Sequence, residues 1–338
     1  MSDSRNTYDI GIIGSGSWAT ALAYLVLHNG HRLWWWVRRP EQAHIIQTKG
    51  HNPNYLSWLE LPTANLHVST DINRVLSHSR AIVVVVPAAF VHDILTEIKD
   101  SFKGSVATAI KGLVKSTLPP ASFLKELGYD RQQITVFGGP THAEEVAMRK
   151  QSFLTMASES PNQIEFWKEV FSTSWFHIFK NNDPYGVEWA GVLKNIYAIG
   201  VGIANGLALG DNLIAILVSQ AMQEMETFLS VVAPTNRNIL ESAYLGDLLV
   251  TAYSQHSRNR TFGVMIGRGY MPRTAINELG MIPEGQFAIE GVYKTALKHN
   301  LINSLPLLNA IYNILIRHVN PLMEFSILVK QLDKLNQA

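Results

Sequence analysis

The chain has 338 residues, with 28 Lys and Arg against 27 Asp and Glu, a net charge of +1 at pH 7, and 47% hydrophobic residues. Such a composition excludes a largely disordered chain, and it excludes the strongly basic surface of a nucleic-acid binder or a polybasic membrane-surface protein. The absence of cysteine excludes disulfides, thiolate metal sites, iron–sulfur clusters and a thiol nucleophile.

At roughly 100–200 residues per domain, this length predicts two domains. The opening MSDSRNTYDI lacks the apolar core of a signal peptide. The longest strongly apolar stretch, residues 81–91, is interrupted by Pro87 and falls short of the about 20 residues a membrane span needs. The expectation is a cytoplasmic protein without a membrane span.

Residues 8–14 read as a short buried strand. Gly14-Ser15-Gly16-Ser17-Trp18-Ala19 follows, then an apolar run to Leu27, with Asn29-Gly30 as a helix stop; residues 33–37 supply a second strand. Strand, tight turn, helix and second strand are the context that the G-x-G-x-x-G/A fingerprint requires for dinucleotide binding. Gly14 permits the sharp turn, Gly16 lets the backbone approach a pyrophosphate, and Ala19 keeps the helix close to the strand. Backbone N–H groups at the helix start then face the phosphates. An NAD site usually ends the second strand in Asp or Glu, and an NADP site places Arg there. Arg38-Arg39-Pro40 precede Glu41, which favours NADP over NAD; a pair of solvated turn arginines is the plainer alternative.

Residues 81–86 form a run rich in β-branched side chains, as a strand buried on both faces requires. Residues 105–110 read as a further strand, followed at once by Lys111-Gly112, and residues 134–137 as another, ending in Gly138-Gly139-Pro140-Thr141. Helical segments between them predict an α/β domain with a doubly wound parallel sheet. Ligands of such sheets lie beyond the C-terminal strand ends, which places Lys111 and residues 138–141 on the ligand side. Thr141 with Glu144 also matches a T-x-x-E capping box.

Beyond about residue 185 the patterns become helical. Residues 189–203 are almost wholly apolar or small, interrupted only by Lys194 and Asn195 as strongly polar groups. So apolar a helix is expected to be buried. A lysine within it must be paired or have a lowered pKa, which is the profile of a catalytic amine; the alternative is a lysine that snorkels to the surface. Asp247 stands in an apolar segment and suits either a helix cap or a site. Ser257-Arg258-Asn259-Arg260 offers many donors to a phosphate or carboxylate, or forms a solvated basic turn. The 12 histidines show no ligand spacing, and no metal site is expected.

Several of these segments match one family in order and spacing. They are the glycine turn with its helix from Gly14, Val83-Val-Val-Val-Pro87, Ile110-Lys-Gly-Leu113, Gly139-Pro-Thr141, Val192-Leu-Lys-Asn195, Leu245-Gly-Asp-Leu248, Ser257-Arg-Asn-Arg260 with Phe262-Gly263, and Glu284-Gly285. From residue 10 to about residue 290 the chain resembles the bacterial NAD(P)-dependent sn-glycerol-3-phosphate dehydrogenases. The resemblance implies an N-terminal Rossmann domain, taken as residues 1–188, and an all-helical C-terminal domain, residues 189–338. It implies reversible reduction of dihydroxyacetone phosphate to sn-glycerol 3-phosphate, feeding phospholipid synthesis; a homodimer is one assembly compatible with the sequence, which leaves the oligomeric state open.

Lys194 is then the general acid/base, with Lys111 and Asp247 also in the catalytic group. Lys111, Gly139, Thr141, Lys194, Asp247, Thr251, Ser257, Arg258 and Asn259 would contact the substrate. Gly14, Gly16, Ser17, Trp18, Arg38, Lys111, Ala143, Arg258, Ile282 and Glu284 would contact the cofactor. The chain departs from the family at Ala19 and Tyr244, where Gly is usual. It also departs near Leu213 and Gln220, where basic residues are common, and at Ala288-Ile289, the region of a usual Thr. Two alternatives stay open: a reductase of the same architecture acting on a hydroxyacid or ketoacid, and a non-catalytic NADP-binding protein.

Overall fold

A computed structural model describes residues 6–280 and 283–335. The chain divides into two compact units. One takes the chain up to Ile110 together with Pro120–Pro184; the other takes Lys111–Pro119 and the chain from Tyr185 onward. This division differs from 1–188 and 189–338 in two places. The second unit begins four residues earlier, and the segment carrying Lys111 leaves the first unit at the end of its strand to join the second.

In the first unit β1 (Asp9–Ile13), β2 (Arg32–Trp36), β3 (Leu66–Ser69), β4 (Ala81–Val84), β5 (Ser105–Thr108), β6 (Ile134–Gly138), β7 (Ser152–Ala157) and β8 (Phe176–Asn181) form one sheet. Its order is β3-β2-β1-β4-β5-β6-β7-β8. The strands from β3 across to β6 are parallel neighbours, with Ile10 paired to Leu33 on one side and Ala81 on the other. All four residues of β4 are buried, as its unbroken apolar run demands. This is the doubly wound fold read from the sequence.

The sheet is mixed, however, rather than wholly parallel, because β7 runs antiparallel to β6. The link between them holds one five-residue helix, Ala143–Ala147. β7 then runs back alongside β6, with Val136 opposite Ala157.

The described part of the second unit is helical: Pro184–Gly206, Asp211–Val232, Asp247–Tyr253, Arg258–Gly267, Pro272–Leu279, Glu284–Lys298, Pro306–Leu315 and Pro321–Leu335. Helix Pro184–Gly206 is its axis, buried from Val187 through Ala204 as its composition requires. Glycines set its approach to Arg258–Gly267. A Cβ on Gly202 would collide with the Arg260 carbonyl, one on Gly263 with the Ile199 carbonyl, one on Gly206 with the Val264 carbonyl and one on Gly267 with the Ile203 carbonyl. The two backbones are therefore in direct contact through two Gly-x-x-x-Gly pairs. Among the described residues no helix is long and apolar enough to cross a membrane.

Candidate active site

The glycine turn of the first unit has the form its sequence implies. Gly14 has φ of 129°, in a region that other residues rarely adopt, and a Cβ there would strike the Val85 carbonyl just past β4. A Cβ on Gly16 would meet nothing within 4 Å, so that position opens on space a ligand can enter. Gly16 is the N-cap of helix Ser17–His28, and no side chain caps that helix. The first-turn N–H groups, including those of Ser17 and Trp18, are thus left for an anion. A dinucleotide pyrophosphate fits this cradle.

Arg38 lies just past β2, exposed, with its guanidinium 4.9 Å from the centre of the Phe90 ring. Glu41 sits in the first turn of helix Pro40–Lys49. The sequence pointed to Arg38 but not to Phe90, which lies 52 positions further on, in the first turn of helix Ala88–Ser101, and carries no local signal.

Past β6, Gly139 has φ of 95° and its carbonyl accepts a hydrogen bond from Thr141 Oγ1 at 3.2 Å. The capping box expected of Thr141 and Glu144 does not form. The N-cap of helix Ala143–Ala147 is His142, one residue later than the motif requires, and the Thr141 hydroxyl is engaged with Gly139. Ala143 is the first helical residue and is buried.

The second unit gathers the charged residues. Lys194 is only 4% exposed and Asp247 1%. Lys194 Nζ donates to Asp247 Oδ1, and Lys111 Nζ donates to Asp247 Oδ2 at 3.0 Å. Lys194 therefore does not snorkel; it ends at a buried carboxylate. Nor is Asp247 a cap. Gly246 holds that position, a single π turn, Ser242–Gly246, precedes it, and the Asp247 carboxylate is turned to the two lysines.

Burial pulls the Lys194 pKa from 10.5 down to about 7, opposed by the Asp247 charge and reinforced by that of Lys111. The charge count explains why a proton can leave cheaply. Two ammonium groups share one carboxylate, so loss of the Lys194 proton leaves an intact Lys111–Asp247 ion pair rather than an uncompensated charge.

A chain of amides fixes the surroundings. Asn195 Nδ2 donates to the Lys111 carbonyl at 3.2 Å, Asn259 Nδ2 donates to Asn195 Oδ1 at 3.0 Å, and Gly285 N donates to Asn259 Oδ1 at 3.0 Å. Asn195 is next to Lys194 in the central helix, so this chain links the amine to helices Arg258–Gly267 and Glu284–Lys298. Ser257 caps the former, its Oγ accepting from Arg260 N at 3.3 Å, and Arg258, the first helical residue, is exposed. Thr251 is buried and donates to the Asp247 carbonyl at 2.6 Å. Glu284 opens the helix Glu284–Lys298. Ile282 lies outside the described residues.

Comparisons agree across both units. The family model for the N-terminus of NAD-dependent glycerol-3-phosphate dehydrogenase matches residues 9–164, and that for its C-terminus matches residues 183–325. The glycerol-3-phosphate dehydrogenase (NAD(P)+) of Enterococcus faecalis is 34% identical over 311 residues, which cover 90% of this chain and 91% of that one. The crystal structure of glycerol-3-phosphate dehydrogenase from Coxiella burnetii matches with a TM-score of 0.88 at 31% identity, covering 96% of this chain and 99% of that one. The glycerol-3-phosphate dehydrogenase of Plasmodium falciparum matches at 0.87 with 25% identity, over 96% and 95%. With both units matched, the chain belongs to the NAD-dependent glycerol-3-phosphate dehydrogenase family.

Proposed function

We propose that the protein reduces dihydroxyacetone phosphate to sn-glycerol 3-phosphate, reversibly, and that it does so in the cytoplasm to supply phospholipid synthesis. The observation that carries this reading is the buried Lys194–Asp247–Lys111 group in a chain of this family. NAD(P)H, when bound, supplies the hydride. Gly14, Gly16, Ser17, Trp18, Arg38, Lys111, Ala143, Arg258 and Glu284 would hold it.

Lys194 gives its proton to the C2 oxygen as negative charge grows there, and takes it back in the oxidation direction. A pKa of about 7 suits it to both tasks near neutral pH. Asp247 holds the ammonium in place, and Lys111 compensates Asp247 once the proton has gone. The exposed Arg258 clamps the phosphate, with Ser257 and Asn259 beside it. Phosphate binding remote from C2 then orients the reacting carbon. Gly139, Thr141 and Thr251 complete the substrate contacts. Arg38 at the end of β2 supports a preference for NADPH, since its guanidinium can pair with a 2′-phosphate.

The test is loss of NADPH or NADH absorbance with dihydroxyacetone phosphate. Turnover of that substrate, and none of a non-phosphorylated ketoacid, is the expected result. The opposite pattern would replace this reading with a ketoacid reductase, and binding of NADPH without any turnover would replace it with a non-catalytic role.

A further inference from the structure

The glycine turn is held from behind by side chains that no part of the mechanism above uses. Three consecutive carbonyls, of Gly14, Ser15 and Gly16, each meet a side-chain donor within the first unit. The Gly14 carbonyl accepts from Trp35 Nε1 at 2.6 Å. The Ser15 carbonyl accepts from Gln42 Nε2 at 3.2 Å and from Asn52 Nδ2 at 3.1 Å. The Gly16 carbonyl accepts from Thr20 Oγ1 at 2.9 Å.

These donors form one network. Asn52 Nδ2 also donates to Thr20 Oγ1 at 2.8 Å, and Asn52 Oδ1 accepts from Gln42 Nε2 at 2.9 Å and from Asn54 N at 3.1 Å. Gln42 Oε1 accepts from Ser15 Oγ at 3.3 Å. Asn52 and Thr20 are wholly buried and Gln42 nearly so. The Asn52 amide makes four hydrogen bonds, which is all that it can make.

The Ser15 carbonyl is the informative one. It precedes the helix, so no helical N–H reaches it, and a turn this tight could present it to the ligand side. A carbonyl dipole facing a pyrophosphate would repel it, whereas an inward carbonyl leaves the neighbouring N–H groups to point outward. Two buried amides, from a helix and from the loop after it, are placed to hold that one oxygen inward.

We propose that Gln42 and Asn52 are positioning residues for the cofactor: they fix the orientation of the Gly14–Gly16 turn and so set the affinity for the dinucleotide pyrophosphate. The inference rests on the reading of this turn as the cofactor site. Neither side chain touches the reacting atoms, so the effect falls on cofactor affinity and not on the proton or hydride step.

The experiment uses the full chain, with Gln42→Met, which keeps length but removes the donor, and Asn52→Ala. Steady-state kinetics are measured with whichever of NADPH and NADH gives the lower KM in the wild type, alongside thermal unfolding. The expected result is a cofactor KM raised about tenfold in each variant, since each removes one of the two donors that hold the buried Ser15 carbonyl inward. At saturating cofactor, kcat and the KM for dihydroxyacetone phosphate stay within about twofold of wild type. A cofactor KM within about twofold of wild type in Gln42→Met would overturn the proposal. So would a fall in kcat that tracks a loss of cooperative unfolding, since that marks a purely structural role. Wild-type enzyme that turns over with neither cofactor would overturn the cofactor reading itself, and this inference with it.

Discussion

Lys194 titrates near neutrality because it is buried beside a second ammonium, Lys111, and keeps a shared carboxylate, Asp247. The reduction step needs its protonated form. The kcat for reduction is therefore expected to be level below pH about 7 and to fall above it, while kcat for oxidation rises through the same range; paired pH profiles check this. In Asp247→Asn the charge that raises the Lys194 pKa is gone, so the falling limb for reduction moves to lower pH. An unmoved limb would show that the titrating group is not Lys194. The same shift bears on stability. The folded pKa lies below the unfolded one, so the unfolded chain binds more protons between pH about 7 and 10.5, and Lys194 makes stability rise with pH across that window. Cofactor choice is tested at Arg38. Arg38→Ala is expected to raise the KM for NADPH about tenfold or more and leave that for NADH nearly unchanged, as loss of a charge-assisted phosphate contact implies. Lys194 is legible in the sequence because a charged residue interrupts a wholly apolar run. Its pairing with Asp247, 53 positions away, follows from the fold, and Gln42 and Asn52 look like ordinary polar residues until the turn they hold is seen.

At the scale of elements, the central helix and Arg258–Gly267 meet through glycines, so the site depends on backbone contact. Gly263→Ala pushes its methyl into the Ile199 carbonyl, and Asn259, one turn earlier, moves off Asn195. Overpacking of this kind costs about 1–3 kcal/mol. A lowered thermal midpoint together with a lowered kcat/KM is expected, and a variant of unchanged stability would contradict the contact. A second element-scale device is Glu224 of helix Asp211–Val232. It is buried and accepts from Leu307 N at 2.6 Å and Leu308 N at 2.9 Å, capping helix Pro306–Leu315. Gln220 Nε2 donates to the same carboxylate at 3.0 Å. Burial lifts the Glu224 pKa from 4.5 to about 7. The folded chain then binds more protons than the unfolded one between pH 4.5 and about 7, so this group makes stability fall as pH rises through that window. Glu224→Gln, which stays neutral, is expected to flatten that part of the urea-midpoint profile; an unchanged slope would assign it to another group. Among strands, β1, β2, β4, β5 and β6 are legible from apolar runs ended by glycine, arginine, proline or lysine. The four-residue β3 and the antiparallel pairing of β7 are not, because the first is short and half-buried and the second is a pairing between strands that no local pattern records.

For the whole molecule, the order of motifs carries more than any one of them. The glycine turn alone specifies a dinucleotide cradle and the apolar helix alone specifies a buried amine; the two in family sequence specify a dehydrogenase. Where the chain divides was less legible. Lys111 stands three residues past the end of β5 in the first unit yet belongs to the second, because Lys111–Pro119 packs with the helices and the Lys111 side chain meets Asp247. The most direct test of the central claim, that Lys194 moves the proton, is turnover of dihydroxyacetone phosphate at saturating NADPH by wild type and by Lys194→Ala. The account predicts that the variant stays folded and binds NADPH while kcat falls about 10²–10⁴-fold. A variant that retains near-wild-type turnover would contradict it.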